Sequence, residues 1–530
     1  MRPTRRPGSF QPLYALALAI AAHTMGAGAL AAPVEPTQKP NIVVILADDL
    51  GYGDVACYNP ERGKVPTPAI DRLAREGLRF TDAHSASGVC SPSRYALLTG
   101  RYPWRTRLQS GIVGLWEPPL IAPKRLTLAS LAAAQGYHTA CVGKWHLGWD
   151  WPVQSGERVH LQGLGGKPGG GGKVTTQLTP ERVEAWKAIF SRPIAGGPTA
   201  RGFHTYFGTD VPNWPPYCFI ENDRTLGLPS VLLPASALVK NQASIQGPAL
   251  PGWSLEEVLP ALTDRACRVI EERAKAKSPF LLYLPLTSPH TPIAVAPAWR
   301  GRSALKHAYA DFVMQTDATV GRVLDTLAAQ GIADRTLVVF TSDNGCASYI
   351  GVPELEAAGH YPSGPLRGYK ASIWEGGHRV PFIMRWPGVA PAGGVCGQTV
   401  GSVDLLATVA QALGVALPVD AGEDSVSLMP LFKRGDQPVR EGLVHQSAAG
   451  GLALRSGRWK LIFGDKDGDK PQLFDLERDL SEKTDVAGQQ PEEVARLTEL
   501  MKRYIREGRS TPGERRPNDV PVRLAKRLGL

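Results

Sequence analysis

The chain has 530 residues, 43% hydrophobic and 20% charged, which is the composition of a soluble globular protein with room for a large core and a second, smaller domain. Its formal net charge is +10, but most of this comes from N-terminal arginines and from residues 502–530, which hold nine Lys or Arg and three acidic residues. The rest of the chain is nearly neutral, which excludes a uniformly basic surface for nucleic acid and favours a solvated face for the basic tail.

The first 32 residues differ from the rest of the chain. Several arginines precede an apolar stretch at 13–22, and Ala29-Leu30-Ala31 offers a small-residue cleavage site. This pattern predicts a secretory signal peptide over residues 1–32, with export to a bacterial periplasm or beyond. No membrane span is predicted, because the apolar stretch is far shorter than the roughly 20 residues that a span requires.

From Asn41 onward, short apolar runs alternate with amphipathic stretches. Buried-strand patterns and helical periodicity predict a repeating α/β unit, hence a mostly parallel sheet covered by helices on both faces. The predicted strands are 42–47, 137–142, 280–286 and 336–340, and the predicted helices are 69–76, 128–135, 255–276 and 304–330.

Two regions depart from this rhythm. Residues 150–254 are rich in proline and predict long functional loops, although the glycine-rich run at 163–172 is better explained as a flexible surface insertion. After a predicted helix at 404–413 the composition changes. Strands at 452–463 and 471–476, followed by a helix at 492–505, predict a small α+β domain with an antiparallel sheet over residues 416–530.

Two pairs of oxygen-bearing residues follow predicted strands. Asp48-Asp49 ends the first strand and Asp343-Asn344 ends another, so both pairs can meet at the carboxyl edge of a parallel sheet. Carboxylate and amide oxygens without His or Cys suit Ca²⁺ or Mg²⁺. Taken alone, each pair is more often a turn or a helix cap.

Residues 90–100 read Cys-Ser-Pro-Ser-Arg-Tyr-Ala-Leu-Leu-Thr-Gly. A helix that starts near Pro92 would direct free backbone N–H groups and its positive dipole end toward an anion, and Arg94 adds a permanent cation. On its own, Cys90 would be a buried structural cysteine. The whole run, however, resembles the signature of the type I sulfatases, and motif blocks in the family's order extend over residues 38–480.

The resemblance implies the chemistry of Cys90. In the family this cysteine is oxidised during export to formylglycine by a formylglycine-generating maturation enzyme. One hydroxyl of the hydrated aldehyde attacks sulfur and expels the alcohol, and the other then collapses to the aldehyde and releases sulfate. If Cys90 is consumed in this way, an oxidising compartment permits up to three disulfides among the other six cysteines, Cys57, Cys141, Cys218, Cys267, Cys346 and Cys396.

Three further blocks resemble the family's motifs. Gly-Lys-Trp-His-Leu-Gly at 143–148 assigns Lys144 to sulfate binding and His146 to proton removal, and both side chains project to one side if the backbone stays extended. The block Thr-Ser-Pro-His-Thr-Pro implies that His290 binds sulfate or protonates the leaving alcohol. The block Arg-Gly-Tyr-Lys implies that Lys370 clamps the sulfate. His378, in the following block, is interpreted as structural.

The resemblance also assigns the metal. It implies one calcium ion held by Asp48, Asp49, Asp343 and Asn344 together with the oxygen derived from Cys90. Such an ion orients the diol, lowers its pKa and offsets the charge of the sulfate.

These expectations define an exported, calcium-dependent sulfatase of the arylsulfatase A and N-acetylgalactosamine-6-sulfatase type. The resemblance implies an alkaline-phosphatase-like α/β fold with a catalytic domain over residues 33–415. By analogy, the substrate is a sulfated carbohydrate, on which Trp214 and Tyr217 either stack or, equally, form core. Two alternatives stay open: a phosphonate monoester or phosphodiester hydrolase of the same superfamily, and a non-catalytic, glycan-binding homologue in which Cys90 is never oxidised.

Overall fold

The computed structural model describes residues 39–162, 178–238, 244–464 and 468–530. The predicted signal peptide and the glycine-rich run at 163–172 both lie outside the described residues. Within the described parts of the chain, no helix is both long enough and apolar enough to cross a membrane.

Short strands and longer helices alternate along the described chain. The strands are β1 (Asn41–Ala47), β2 (Leu78–Phe80), β3 (Ala83–His84), β4 (His138–Lys144), β5 (Thr205–Thr209), β6 (Ile220–Glu221), β7 (Arg224–Thr225), β8 (Val231–Leu232), β9 (Pro248–Ala249), β10 (Phe280–Pro285), β11 (Thr336–Ser342), β12 (Phe382–Arg385), β13 (Gly394–Cys396), β14 (Val400–Gly401), β15 (Leu443–Gln446), β16 (Leu452–Ser456), β17 (Trp459–Ile462) and β18 (Gln472–Asp475). The helices are α1 (Pro68–Glu76), α2 (Cys90–Thr99), α3 (Leu128–Ala134), α4 (Pro180–Phe190), α5 (Val258–Lys275), α6 (Ala308–Ala329), α7 (Val352–Ala357), α8 (Glu375–His378), α9 (Leu405–Ala412), α10 (Pro491–Glu507) and α11 (Arg523–Arg527).

Ten strands form the main sheet in the order β13-β2-β12-β11-β1-β10-β4-β5-β6-β7. The five central strands, β11 to β5 in that order, are all parallel. Strand β12 is antiparallel to both of its neighbours, and so is β6. Because parallel strands share one carboxyl edge, the residues that follow β1, β4, β10 and β11 are brought to the same side of the sheet.

Helices cover both faces of the sheet, as predicted. The side chains of β1 alternate: Ile42, Val44 and Leu46 pack in one core with residues of α2, α3 and α9. Their neighbours in β1 pack in a second core with residues of α1, α5 and α6. The strand is therefore buried on both sides, which explains its continuous apolar sequence.

The C-terminal part of the chain forms a four-stranded antiparallel sheet, β15-β16-β17-β18. Helix α10 packs on this sheet through Leu497, Met501 and Tyr504. The predicted strand at 452–463 is a hairpin that reverses at Gly457, whose φ of 55° favours glycine. This sheet lies within the same compact unit as the main sheet, Gln38–Leu530, and the domain boundary at residue 416 stays a prediction.

Some elements differ from the sequence prediction. Region 150–254 is not irregular throughout, because it contains helix α4 and the sheet strand β5. The side chain of Thr179 caps α4 by accepting a hydrogen bond from the backbone N–H of Arg182. The helix predicted at 304–330 begins only at Ala308, where the side chain of His307 accepts a hydrogen bond from the backbone of Tyr309. None of the disulfides that the composition permits is formed, since all seven cysteines are free thiols.

Candidate active site

The carboxyl edge of the central strands gathers every residue to which the motifs assign a catalytic or metal-binding role. Each follows, ends or faces a strand of the parallel core, so the alternation of β and α is what places them. Asp48 and Asp49 follow β1, Asp343 and Asn344 follow β11, Lys144 ends β4, His146 lies two residues beyond β4, His290 lies beyond β10, Cys90 and Arg94 lie in α2, and Lys370 lies between α7 and α8.

Cys90 is the first residue of α2 and is buried beside Asp48. Val89 is extended, so the helix begins at the cysteine, and Pro92 occupies the first turn, where a missing N–H is tolerated. The Sγ atom of Cys90 lies 3.7 Å from Asp48 Oδ1. Burial raises the pKa of the Cys90 thiol to about 12, so the unmodified cysteine is a neutral thiol and a poor nucleophile.

Asp48 is the centre of a buried ion-pair network. Lys144 Nζ lies 2.9 Å from both carboxylate oxygens, and Arg94 Nη2 lies 3.2 Å from Oδ1. Burial alone would raise the pKa of Asp48, but the charges of Lys144 and Arg94 outweigh burial and hold that pKa well below its usual value. Asp48 is therefore ionised throughout the physiological range.

Arg94 also holds Asp343. Its Nε and Nη2 atoms donate to Asp343 Oδ2 at 3.0 and 2.7 Å, and its Nη1 donates to the backbone oxygen of Lys144 at 3.1 Å. Burial raises the pKa of Asp343 to about 6, against the lowering effect of Arg94. One guanidinium thus orients the strand ends that carry Asp48, Asp343 and Lys144.

Asp49 adopts a left-handed backbone conformation, with φ of 64°. This turn directs its carboxylate to Asn344 Nδ2, 2.7 Å from Oδ1, and to Lys370 Nζ, 2.7 Å from Oδ2. The Oδ1 atom of Asn344 is buried and has no hydrogen-bond partner among the described residues. An orphaned amide oxygen among carboxylates fits a cation site, because an ion would supply the missing partner.

The charges at this edge balance in number. The three carboxylates of Asp48, Asp49 and Asp343 are contacted by three cations, Lys144, Arg94 and Lys370. Ligand atoms of Asp48, Asp49, Cys90 and His290 all lie within 4.8 Å of one another. A divalent cation bound here would make the site net positive, which suits an anionic substrate.

His146 is buried and neutral. Its Nε2 atom lies 3.2 Å from the backbone oxygen of Val113 and must donate to it, which leaves the lone pair on Nδ1. Nδ1 has no hydrogen-bond partner in the described part of the chain. Burial, reinforced by Lys144 and Arg94, lowers the pKa of His146 well below its usual value. The imidazole is therefore available as a base at neutral pH.

The backbone around His146 is not extended, contrary to the assumption made from the sequence. Lys144 ends β4, but His146 has a φ of 52° and its backbone N–H donates to Asp210 Oδ1 at 3.1 Å. Sequence reasoning missed Asp210, which directly follows β5 as the other acids follow their strands. The signal was lost because β5 itself was not predicted.

His290 lies opposite Lys370 across Asp49. Its Nε2 atom is 3.6 Å from Asp49 Oδ2, and its Nδ1 atom contacts the backbone oxygen of Thr291. Burial and the neighbouring Lys370 lower the pKa of His290 to about 4, so the ring is neutral at physiological pH.

The two aromatic candidates of segment 210–223 are both buried. Tyr217 is core, since its buried hydroxyl lies within hydrogen-bond distance of the backbone oxygens of Asn213 and Ile245, at 2.7 and 2.6 Å. Trp214 packs edge-on against the ring of His146, with centroids 5.5 Å apart. His378 is also buried and belongs to a separate histidine cluster.

Comparison with known proteins identifies the family to which this chain belongs. The sulfatase family model matches residues 40–415. The chain therefore belongs to the sulfatase family, and the protein is a sulfuric ester hydrolase.

Two curated relatives define the type within the family. An N-acetylgalactosamine-6-O-sulfatase of Bacteroides thetaiotaomicron is 33% identical over 491 residues, covering 88% of this chain and 93% of the relative. Human arylsulfatase A is 31% identical over 514 residues, covering 89% of each chain. The expected arylsulfatase A and N-acetylgalactosamine-6-sulfatase type is thereby confirmed.

A solved structure supports the fold. A Bacteroides thetaiotaomicron structure reported under the metabolism of multiple glycosaminoglycans superposes with a TM-score of 0.73 at 30% identity, covering 88% of this chain and 99% of that one. The predicted alkaline-phosphatase-like fold, with its smaller C-terminal antiparallel sheet, is confirmed.

Proposed function

We propose that this protein is an exported, calcium-dependent sulfatase that hydrolyses a sulfated carbohydrate through a formylglycine derived from Cys90. The observation that carries the proposal is the position of Cys90 at the start of α2, 3.7 Å from Asp48 and within the set of balanced charges at the sheet edge. A buried, neutral thiol has no catalytic use in such a site, whereas an oxygen in its place would be a further hard ligand.

The calcium ligands would be Asp48, Asp49, Asp343 and Asn344, with the oxygen at position 90. Hard oxygen donors and the orphaned Oδ1 of Asn344 support this choice. When bound, calcium would supply positive charge that offsets the sulfate and lowers the pKa of the diol. Lys144 and Lys370, which contact the carboxylates here, would then turn toward sulfate oxygens.

Residues of this chain would carry out the attack on sulfur, the release of sulfate and the stabilisation of charge. The hydrated aldehyde would provide one hydroxyl that attacks sulfur and a second whose deprotonation releases sulfate. Arg94 holds the carboxylates in place, while Lys144 and Lys370 offset charge that grows on the sulfate oxygens and the departing oxygen. The S–O bond to the alcohol breaks in the first step, and the departing oxygen takes a proton.

Two histidines fit the proton transfers. His146 presents the lone pair of Nδ1, because its Nε2–H is held by Val113, and can accept the proton of the second hydroxyl. His290 lies on the Asp49 side and can bind a sulfate oxygen or protonate the departing alcohol oxygen. Accepting a proton needs an uncharged imidazole at neutral pH, which burial of His146 provides. Binding a sulfate oxygen or protonating the departing oxygen needs a proton on His290 Nε2, because Nδ1 contacts the Thr291 carbonyl, and the negative charge of a bound sulfate ester would favour that protonated form.

The substrate class and the location of the protein are supported by the relatives and by the N-terminal sequence. The Bacteroides relative is named for a sulfate on an amino sugar, and the solved structure is reported under glycosaminoglycan metabolism. The pattern of residues 1–32 supports export. A formylglycine-generating enzyme is then the required partner.

The decisive experiment is the mass of the peptide that contains Cys90, in full-length protein co-expressed with a formylglycine-generating enzyme. We expect the sulfur to be replaced by oxygen with the loss of two hydrogens, and turnover of sulfated sugars to exceed that of a phosphonate monoester. Cys90→Ala should abolish turnover, whereas Cys57→Ala, at a half-buried thiol near α1, should not.

Each alternative function predicts a different result. Faster turnover of phosphonate than of sulfate would favour the phosphonate monoester or phosphodiester hydrolase. An unmodified Cys90 in protein from the native host, with no turnover, would favour the non-catalytic, glycan-binding homologue.

A further inference from the structure

Three buried histidines meet between the main sheet and the C-terminal sheet. His84 ends β3, His378 ends α8 and His445 lies in β15, and none of the three side chains is exposed. Their ring centroids lie 4.0 to 5.2 Å apart, and the rings of His378 and His445 are stacked. We call this group the histidine cluster. It shares no residue with the candidate active site.

The outer nitrogen of each ring faces an oxygen that carries no proton to donate. His84 Nε2 lies 2.9 Å from Asp82 Oδ1, His378 Nε2 lies 3.0 Å from the backbone oxygen of Ile373, and His445 Nδ1 lies 3.4 Å from the backbone oxygen of Ser85. The outer nitrogens of His84 and His445 therefore carry the proton of a neutral imidazole, and their inner nitrogens carry a lone pair. His378 has two neutral tautomers, because its Nε2 atom also lies 3.2 Å from Lys460 Nζ, which can only donate. This arrangement of carboxylate or carbonyl, imidazole and open nitrogen is typical of metal-binding histidines.

The inner nitrogens of the three rings lie close together, and one of them has no partner in the described part of the chain. His84 Nδ1 and His378 Nδ1 face each other at 3.1 Å, and His445 Nε2 is buried without a hydrogen-bond partner among the described residues. Lys460 does not fill this gap. Its Nζ lies 2.7 to 3.0 Å from three oxygens, of Ile373, Glu375 and Glu482, and contacts His378 only at the outer nitrogen, at 3.2 Å.

We propose that the histidine cluster binds one transition-metal ion of the imidazole-preferring class, of which Zn²⁺ is the probe. When the proton of His378 is on Nε2, two lone pairs face each other at 3.1 Å and a cation between them satisfies both. A proton on His378 Nδ1, with Lys460 donating to Nε2, would serve His84 and His378 but would leave His445 unpaired, whereas a metal ion serves all three. The spacing of 3.1 Å is close to the roughly 3.3 Å between two nitrogens on tetrahedral zinc with bonds of about 2.0–2.1 Å.

The chemistry of the cluster selects the type of ion. Neutral nitrogen ligands favour zinc or copper over calcium, which prefers oxygen. Burial, with the nearby charge of Lys460, lowers the pKa values of His378 and His445 well below normal, so both are deprotonated ligands at neutral pH. The surrounding acids are already paired: Asp82 with Arg379 and Arg455, and Glu375 with Lys460.

Binding requires one local movement. His445 is stacked on His378 with ring planes 9° apart, so its Nε2 must turn out of the stack to reach the ion. The ion would then join β3, α8 and β15, which belong to distant parts of the sequence. Its role is structural, since it fastens the C-terminal sheet to the segment that leads from His84 to Cys90.

The test uses the full-length protein and does not depend on sulfatase activity. Protein stripped of metal would be titrated with Zn²⁺ while calcium is held at saturation, and bound metal would be counted by elemental mass spectrometry. We expect one zinc per chain, and X-ray absorption of the wild-type complex should show nitrogen neighbours at about 2.0–2.1 Å with imidazole scattering. The absorption measurement needs no variant, so it stands even where a variant folds poorly.

Variants separate this cluster from the active site. His378→Ala and His445→Ala should lose the zinc, whereas His138→Ala, in the stacked pair with His204, and Asp49→Asn, in the calcium set, should keep it. Absence of zinc binding in the wild type would overturn the proposal in favour of a shared proton. So would zinc retained by His378→Ala but lost in Asp49→Asn, because the ion would then lie in the active site.

Discussion

Arg94 provides the sharpest test of the active-site electrostatics. Replacement by Gln removes a buried guanidinium from Asp343, to which it donates at 2.7 and 3.0 Å, and from Asp48, 3.2 Å away. Removing one partner of a buried ion pair costs about 3–5 kcal/mol, because a charge is left without compensation. At about 2 cal/mol/K of unfolding entropy per residue, a chain of this length loses about 1 °C per kcal/mol, so we expect Tm to fall by about 3–5 °C.

The chain offers a matched control in Arg105. This arginine is equally buried and donates to both oxygens of Asp424 at 2.8 and 2.9 Å, away from the catalytic edge. Arg105→Gln should lower Tm by a similar amount and leave turnover unchanged. Arg94→Gln should in addition lower kcat by about 10²-fold or more, because the catalytic groups that Arg94 orients would be misplaced.

Added calcium should change the Tm of Arg94→Gln and of Arg105→Gln differently relative to wild type. An ion bound among Asp48, Asp49 and Asp343 supplies positive charge in place of the guanidinium, so added Ca²⁺ should narrow the Tm gap between wild type and Arg94→Gln. The gap for Arg105→Gln should not change. Thermal unfolding at several calcium concentrations, with turnover of an aryl sulfate, measures both effects. A calcium-independent gap for Arg94→Gln, or normal turnover, would refute the reasoning.

Three further predictions follow from single contacts. His146→Ala should slow sulfate release more than sulfur transfer, because the base for the second hydroxyl is lost. Mass spectrometry during turnover should then detect protein that carries sulfate at position 90. Normal rates without this sulfated form would remove His146 as the base. Gly100→Ala should lower the free energy of unfolding by at least about 1 kcal/mol, because φ is 63° and a Cβ would lie 2.9 Å from Leu406. Gly136→Ala, also at positive φ but in open space, should cost less, and equal losses in the two variants would contradict this packing argument. The pKa of Asp424 is lowered because Arg105 outweighs the effect of burial. The Asp424–Arg105 pair therefore stabilises the fold fully above about pH 4, and this stabilisation is lost as pH falls through the lower pKa of the folded state. Asp424→Asn should reduce the dependence of Tm on acid pH, and an unchanged dependence would argue against this pair.

The sequence was most informative where function depends on strand ends. Asp48 and Asp343 could be placed at one edge because apolar runs precede them and parallel strands share a carboxyl end. Cys90 and Lys144 were found through contiguous motifs, each within a few residues of a predicted element. Local pattern and local geometry agree at these positions, so little tertiary information was needed.

The sequence was least informative where tertiary contacts decide. Asp210 was missed because β5 contains glycine and only five residues, too few for a periodic signal. The left-handed conformation of His146 depends on its contact with Asp210, 64 residues away, and could not be read from a two-residue spacing. The histidine cluster brings together His84 and His378, which are 294 residues apart, and no local sequence pattern predicts this contact.

The contacts between β15 and the segment before Cys90 bear on when Cys90 can be oxidised relative to folding. Ser87 Oγ donates to the backbone oxygen of Gln446 at 2.9 Å across 359 residues of sequence, and Gly88 donates to the same oxygen. Cys90 itself is only 2% exposed in the finished fold. Under the proposed function, a maturation enzyme must reach this thiol before the fold buries it. Oxidation must therefore precede folding, and a chain that folds first is trapped with an inert thiol.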